Sequence, residues 1–340
     1  MNLARTLVCL LPVVLTLQGA AAAQPAAPEI KIIATIPAAD GYWDYASFDA
    51  AARRVYVGRE DGVMSIDVDT NKVTPQLLKG ERVHSIVPLP GGLALSTNGL
   101  SNQATLFEQS TGKVLAQIPT GKKPDAALFD AASKLVLVMD GDDNDTTLID
   151  PDTRKAVGHI ALGGSPESAA ADGQGRVFVN LSDQSAIAVI DVAARKVIAR
   201  YKLPGCEDAS GLGMDPKTNT LVATCANMKA IAVDAKDGRV LGSLAIGKYP
   251  DAIVFDPGRR LFFVPCASPG TLVVIAERAG AAPEVIANIP VAMGAHTVAL
   301  DAQRGRLYLP AGEFRMPTTA GGRPTVVPGT VKVQVLSVVP

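Results

Sequence analysis

Short apolar segments separated by polar turns recur along the chain from residue 30 to residue 338, as in RVYV at 54–57 and LVLV at 135–138. Brief β-branched runs bounded by turn residues predict strands that are buried between packed sheets. Helix-period patterns are absent after residue 23, which argues against an α-solenoid. The chain is therefore predicted to be all-β.

One phrase of four strands recurs along the chain: a first apolar strand, an Asp and a basic turn, a second strand resembling RVYV, a third ending in Ile-Asp, and a fourth ending near Gly or Pro. The first residues of the copies are Asp44, His84, Asp125, Glu167, Asp208, Asp251 and His296. Their spacings are 40, 41, 42, 41, 43 and 45, and the fifth copy fits only with a two-residue insertion at 210–211. Seven four-stranded units at this period predict a seven-bladed β-propeller.

Two further regularities support this fold. The second strands lie at one phase of the repeat: 54–57, 93–96, 135–138, 176–179, 221–224, 261–264 and 306–309. The turn before most of them carries an Asp, which we expect to bond its own turn backbone rather than to be catalytic: Asp49, Asp130, Asp172, Asp215, Asp256 and Asp301. The last copy supplies three strands, so residues 30–36 are expected to complete its blade and close the ring beside 331–338.

Residues 1–23 have the pattern of a secretory signal peptide: the early positive charge of Arg5, an apolar run over 6–17 and the cleavage-site motif Ala21-x-Ala23. The run is too short to span a membrane. Val8 stands before Cys9, where a lipoprotein signal needs a small residue. We therefore expect one propeller domain over 24–340 in a periplasmic or secreted monomer, with no membrane span after signal removal.

Composition limits the classes of function. Lys plus Arg is 32 and Asp plus Glu is 33, so the net charge of −1 provides no basic field for nucleic acid. Apolar residues make up 48% of the chain, which excludes an intrinsically disordered protein.

Several phrases resemble a known repeat family. VID at 189–191 with KV at 196–197, GKKPD at 121–125 and IGKYPD at 246–251 are similar to the YVTN-type propeller repeat of exported bacterial proteins. Residues 206–215 resemble a subset of that family. The resemblance covers the whole predicted mature chain and implies an exported seven-bladed propeller, but the family carries no single activity. The segment 313–328 departs from the repeat and is long enough to cover one face.

The residue that opens each first strand should lie at the mouth of the central channel. A ring of Asp44, His84, Asp125, Glu167, Asp208, Asp251 and His296 would hold a divalent metal or a cationic ligand, or each side chain would only cap its own loop. Glu207 is the substitute if Asp208 does not face the mouth. His84, His296 and Asp44 are a hypothetical two-imidazole, one-carboxylate metal set.

Three aromatic residues lie beside Asp44: Tyr42, Trp43 and Tyr45. They would either stack a ligand at the mouth or pack at a blade edge. Three cysteines remain after signal removal. Cys206 opens the first strand of the fifth blade and Cys225 ends the neighbouring antiparallel strand, so they are predicted to form a disulfide, which leaves Cys266 free; a thiolate metal site is the alternative.

The acidic turn at 140–145 begins like a calcium loop, but Asp145 and Pro151 replace its required Gly and Glu. It is predicted to be a solvated hairpin loop. His159 is predicted to be an exposed residue of a fourth strand.

Two main functions remain. The first is a non-catalytic binding or scaffold propeller that receives a small ligand, a metal or a protein at the channel mouth. The second is a metal-dependent hydrolase or lactonase, in which a cation at that mouth activates water. Single-stranded DNA binding, suggested by some propellers of this type, is disfavoured by the net charge.

Overall fold

The structure is a computed structural model that describes residues 28–278, 281–315, 317 and 324–339. The predicted signal peptide lies outside these residues. Throughout the described ranges, no helix is both long and apolar enough to cross a membrane. The predicted all-β class is confirmed, and the one helical turn seen there is a 3₁₀ segment at Ser182–Gln184.

The strands of the first half form regular four-stranded antiparallel blades. They follow β1 (Glu29–Pro37), which belongs to the last blade. Blade 1 contains β2 (Trp43–Asp49), β3 (Arg54–Arg59), β4 (Gly62–Asp67) and β5 (Val73–Lys79); blade 2 contains β6 (Val83–Leu89), β7 (Leu93–Asn98), β8 (Gln103–Glu108) and β9 (Val114–Pro119); blade 3 contains β10 (Pro124–Asp130), β11 (Leu135–Asp140), β12 (Asp145–Asp150) and β13 (Lys155–Ala161).

Blades 4 and 5 repeat this arrangement, whereas blade 6 has its innermost strand divided into two short pieces that both pair with the second strand. Blade 4 contains β14 (Pro166–Ala171), β15 (Arg176–Leu181), β16 (Ala186–Asp191) and β17 (Lys196–Lys202); blade 5 contains β18 (Ala209–Asp215), β19 (Thr220–Cys225), β20 (Lys229–Asp234) and β21 (Val240–Ala245); blade 6 contains β22 (Lys248–Pro250), β23 (Val254–Asp256), β24 (Leu261–Ser268), β25 (Thr271–Ala276) and β26 (Glu284–Pro290).

Blade 7 joins the two ends of the described chain. It contains β27 (Ala299–Asp301), β28 (Arg306–Ala311), β31 (Lys332–Val339) and the N-terminal β1, in the order β27-β28-β31-β1. The antiparallel register of β1 on β31 runs from Glu29 opposite Val339 to Pro37 opposite Lys332. The predicted ring closure is therefore confirmed, and it leaves no open blade in the ring.

The core lies between neighbouring blades. The second and third strands of each blade are almost wholly buried, as in β3, where Val55, Tyr56 and Val57 have no exposed surface. Each of the six turn Asp residues accepts a backbone N–H from its own turn, as Asp49 Oδ1 does from Ala51 (2.8 Å). Their predicted structural role is confirmed.

A backbone irregularity marks the start of the innermost strand in blades 1 to 5. In β2 the register moves from Trp43 opposite Arg59 to Ala46 opposite Val57, so one extra residue is inserted there, and β6, β10, β14 and β18 do the same. Such a bulge turns side chains away from the regular alternation of a strand. The predicted ring residues of blades 1 to 4, Asp44, His84, Asp125 and Glu167, lie within these bulges.

The insert of the last blade begins and ends in the short pair β29 (Phe314–Arg315) and β30 (Thr325–Val326). This pair packs on the first blade: the Phe314 ring lies 5.2 Å from that of Trp43, and the Gly329 N–H donates to Asp40 Oδ1 at 2.8 Å. The two ends of the insert therefore lie over the junction of blades 7 and 1.

Candidate functional site

The innermost strands of the seven blades contact one another in sequence and surround the central channel, from β2 through β27 and back to β2. The predicted ring residues open these strands. Asp44, His84, Asp125 and Glu167 are the second residues of β2, β6, β10 and β14, respectively. Asp251 lies between the two short strands β22 and β23 of blade 6, and His296 lies just before β27 of blade 7.

Blade 5 differs from the prediction. In blades 1, 3, 4, 6 and 7 the ring residue lies five positions before the turn Asp, and the same count from Asp215 gives Ser210, not Asp208. The bulge of β18, between Ala209 and Leu212, places Ser210 there as well. Asp208 lies before β18 and is exposed. Ser210 is therefore the ring position of blade 5, and the two-residue insertion predicted at 210–211 lies before this position instead.

Three ring residues form a compact group of ligand atoms. His84 Nδ1 lies 2.5 Å from Asp44 Oδ2 and 3.6 Å from Asp125 Oδ1, and one ligand atom from each of the three residues falls within 4.8 Å of the others. His84 is only 3% exposed, and Asp125 is buried. Two carboxylates and one imidazole are a donor set for Mn²⁺, Fe²⁺ or Zn²⁺.

Small residues hold His84 in place. A Cβ on Gly99 would lie 2.5 Å from His84 Nε2, and a Cβ on Gly58 would lie 2.2 Å from the His84 carbonyl oxygen. Thr97 joins the two neighbouring blades: its hydroxyl accepts from the Ser85 N–H (3.0 Å) and donates to the Asp125 carbonyl (2.7 Å). These positions carry no signal in the sequence, because they lie in ordinary strands and turns.

The electrostatics of the ring are those of crowded carboxyl groups. Burial raises the pKa of Asp125, and the Asp44 carboxylate raises it further, although the charge of His84 opposes this. Burial and the charges of Asp44 and Asp125 raise the pKa of Asp251 well above its usual value. Each ionised member therefore makes ionisation of the next more costly.

The same causes act on the remaining ring members. Burial, followed by the charge of Asp125, raises the pKa of Glu167 to about 7, while Lys123 acts in the opposite direction. Burial lowers the pKa of His84, but its hydrogen bond to Asp44 and the nearby carboxylates outweigh burial and raise it. The charge of Asp208 also raises the pKa of Glu167 and of Asp251, so this exposed carboxylate acts on the ring.

Tyr45 occupies the channel beside the ring. It belongs to blade 1, yet its side chain packs against the core of blades 3 and 4 around Ala126 and Ala169. Burial and the charges of Asp251 and Asp125 raise its pKa well above the usual value. The side chain therefore reaches from blade 1 to the core of blades 3 and 4.

His296 and Trp43 lie apart from the three-ligand group. Their rings stack at 5.6 Å with an angle of 23°, and His296 Nδ1 lies 2.8 Å from the Gly294 carbonyl oxygen. Trp43 is 6% exposed and packs in the core between blades 1 and 7. The structure thus brings Asp44 to His84 as the sequence suggested, but Asp125 stands where His296 was expected as the third ligand.

The predicted disulfide between Cys206 and Cys225 is confirmed, with a Cα–Cα distance of 5.3 Å. It ties the turn that carries Asp208 to the end of β19. Cys266 is a buried free cysteine, and burial raises the pKa of its thiol to about 11. Burial therefore disfavours the thiolate form of this side chain.

The acidic turn at 140–145 is a hairpin between β11 and β12, as predicted, but it is not wholly solvated. Asp140 has no exposed surface, and Asp145 is half-buried. His159 is exposed, as predicted, and lies near both of them in β13. These three residues form the second group of potential metal ligands found in the described part of the chain.

Comparison with known proteins supports the fold alone. No protein-family model matches the chain, and no curated protein matches it. Hydrazine synthase of Kuenenia stuttgartiensis has a similar structure, with a TM-score of 0.71 at 13% identity over 85% of this chain and 96% of that one. A chain from the crystal structure of the mitotic checkpoint complex gives a TM-score of 0.73 at 11% identity over 99% of each chain. The chain is therefore similar in fold to propellers of unlike function.

Proposed function

We propose that this protein is a binding propeller whose channel mouth holds a divalent cation through Asp44, His84 and Asp125. The observation that carries this proposal is the position of the three side chains, with one ligand atom of each within 4.8 Å of the others. The propeller fold is compatible with a binding or scaffold role.

A bound cation would offset the electrostatic repulsion among the ring carboxylates. Burial raises the carboxyl pKa values of Asp125, Glu167 and Asp251, and the charge of Asp44 raises all three further. A bound divalent ion replaces this repulsion with attraction, and it favours the ionised form of every carboxyl group around it. The remaining carboxylates would then orient a cationic or metal-bound small ligand, or a protein segment, above the ion.

Export to an oxidising compartment is part of the proposal. The Cys206–Cys225 disulfide is of the kind that persists in periplasmic and secreted proteins. The signal-peptide pattern of residues 1–23 and the resemblance to the YVTN-type repeat family of exported bacterial proteins support the same location.

The test is metal content and affinity. Protein purified without chelators or immobilised nickel is analysed for metals, stripped with a chelator, and titrated with Mn²⁺. We expect His84→Ala and Asp44→Asn each to weaken binding at the mouth by at least about tenfold. His296→Ala is the matched control, because it removes a ring imidazole outside the three-ligand group, and it should leave the affinity unchanged. Equal affinity in all four proteins would exclude this site.

Metal-dependent hydrolysis is the second candidate. Glu167 favours it, because this largely buried carboxyl group belongs to the same ring, and a cation at the mouth would keep it ionised and able to accept a proton from water. A cation at the mouth would lower the pKa of bound water. The metal-loaded protein would be assayed with p-nitrophenyl acetate and γ-butyrolactone. Turnover that is abolished by Glu167→Gln while metal affinity is retained would establish this function over a purely binding one.

A further inference from the structure

A second polar cluster lies on the channel-mouth face, at the turn between β11 and β12 of blade 3. Asp140 ends β11 and faces Asp145, which begins β12, as a direct register pair. His159 on the next strand pairs with Thr147. The hairpin therefore sets two carboxylates and one imidazole side by side, farther from the axis than Asp125.

The geometry of this cluster is that of a ligand set. One ligand atom from each of Asp140, Asp145 and His159 lies within 4.8 Å of the others, and His159 Nδ1 is 3.6 Å from Asp145 Oδ2. Thr147 occupies the centre of the group. Its hydroxyl donates to Asp140 Oδ2 at 2.6 Å and lies 3.2 Å from His159 Nδ1, which fixes both side chains.

The buried oxygens of the two carboxylates lack a donor. Asp140 Oδ1 and Asp145 Oδ1 are both buried, and neither has a hydrogen-bond donor within the described structure. The two side chains instead approach each other, so the pKa of Asp140 is raised to about 8 by burial and by the Asp145 carboxylate. Two facing carboxylates are stable only with a positive charge between them, either a shared proton or a metal ion.

We propose that Asp140, Asp145 and His159 bind a second divalent cation of the Zn²⁺ or Mn²⁺ class. An imidazole in the set favours these ions over Ca²⁺, which prefers oxygen ligands alone. His159 is exposed, so the ion has a path from solvent and positions open to water. Gly121 packs closely against Asp140 and leaves room for its carboxylate, because a Cβ at position 121 would lie 2.8 Å from Asp140 Cγ.

This site is independent of the one at the mouth and is tested with the mouth disabled. Chelator-treated His84→Ala protein is titrated with Zn²⁺ by calorimetry and with Co²⁺ by visible absorption. We expect one ion to bind, and we expect either His159→Ala or Asp145→Asn in this background to weaken the affinity by at least about tenfold and to alter the Co²⁺ spectrum. Asp142→Asn is the matched control, because it removes the same charge from the exposed tip of the same turn.

Two results would overturn the proposal. One is a Zn²⁺ affinity that none of these changes alters. The other is a protonated carboxyl band in the infrared spectrum that persists in saturating Zn²⁺ and disappears in Asp140→Asn, which would show a shared proton only. If His84→Ala does not fold, His159→Ala is introduced into the unaltered chain, and the zinc stoichiometry should fall by one. His159 lies on the surface, so its removal leaves the blade intact.

Discussion

Glu167 makes the stability of the metal-free protein depend on pH in a direction opposite to that of most carboxylates. Its pKa is raised from 4.5 to about 7 in the folded protein, chiefly by burial and then by the charge of Asp125. The folded state therefore holds a proton that the unfolded state has already released. Between these two values, raising the pH favours unfolding.

The magnitude follows from the difference of about 2.5 pH units at about 1.4 kcal/mol each, so this one group removes up to about 3.5 kcal/mol of stability as the pH rises from 4.5 through 7. Its contribution is fully present below pH 4.5 and is lost above the folded pKa. Glu167→Gln cannot ionise, so the variant should not lose that part.

The assay is urea unfolding of chelator-treated wild type and Glu167→Gln at pH 5 and pH 8. Asp125 and Asp251 titrate in both proteins, so the informative quantity is the difference between the two pH dependences. We expect the variant to gain about 2–3 kcal/mol over wild type on going from pH 5 to pH 8. Glu29→Gln, an exposed carboxylate on β1, is the control and should leave the pH dependence unchanged. Parallel pH dependences for wild type and Glu167→Gln would refute the reasoning.

Three further changes probe the scaffold. Replacing Cys206 and Cys225 together by Ala removes a disulfide that closes a loop with a sequence separation of 19, and it should lower the free energy of unfolding by about 3 kcal/mol in thermal or urea unfolding. Cys266→Ala removes no disulfide, so it should leave the spacing of blade 5 intact. Equal stability with and without the disulfide would contradict this expectation. Trp43→Ala should cost about 3–5 kcal/mol because it empties the core between blades 1 and 7, and a loss below 1 kcal/mol would show that the indole does not fill that space. Deleting β1 exposes the edge of β31 and should produce concentration-dependent aggregation in light scattering; a monodisperse, folded product would show that ring closure is dispensable.

The architecture could be predicted from sequence because it rests on local patterns that repeat. Short buried strands and Asp-containing turns recur at a nearly constant spacing, and a sheet edge needs a partner strand, for which residues 30–36 have a suitable apolar pattern. The disulfide could be predicted for the same reason, because the repeat puts Cys206 and Cys225 at the same end of adjacent strands.

The sequence alone also predicted a ring of residues at the starts of the innermost strands, and the structure differs from that prediction in the register of blade 5. The constant five-residue distance to the turn Asp identifies Ser210 as the equivalent position in blade 5, whereas Asp208 matches the other ring residues in charge but not in position. In blade 5, the position of a residue within the repeat therefore indicates the equivalent ring residue better than its charge does.

Only the tertiary structure decided which mouth residues meet. Blade order makes His84 and His296 equally near Asp44, but side-chain orientation turns His296 onto Trp43 and brings Asp125 to His84. The group of Asp140, Asp145 and His159 was likewise hidden, because its members come from three strands and their proximity depends on register across the blade. Periodicity in the chain specifies the backbone of a propeller, whereas contacts between side chains on different strands depend on bulges, rotamers and small neighbours such as Gly99, which periodicity does not encode.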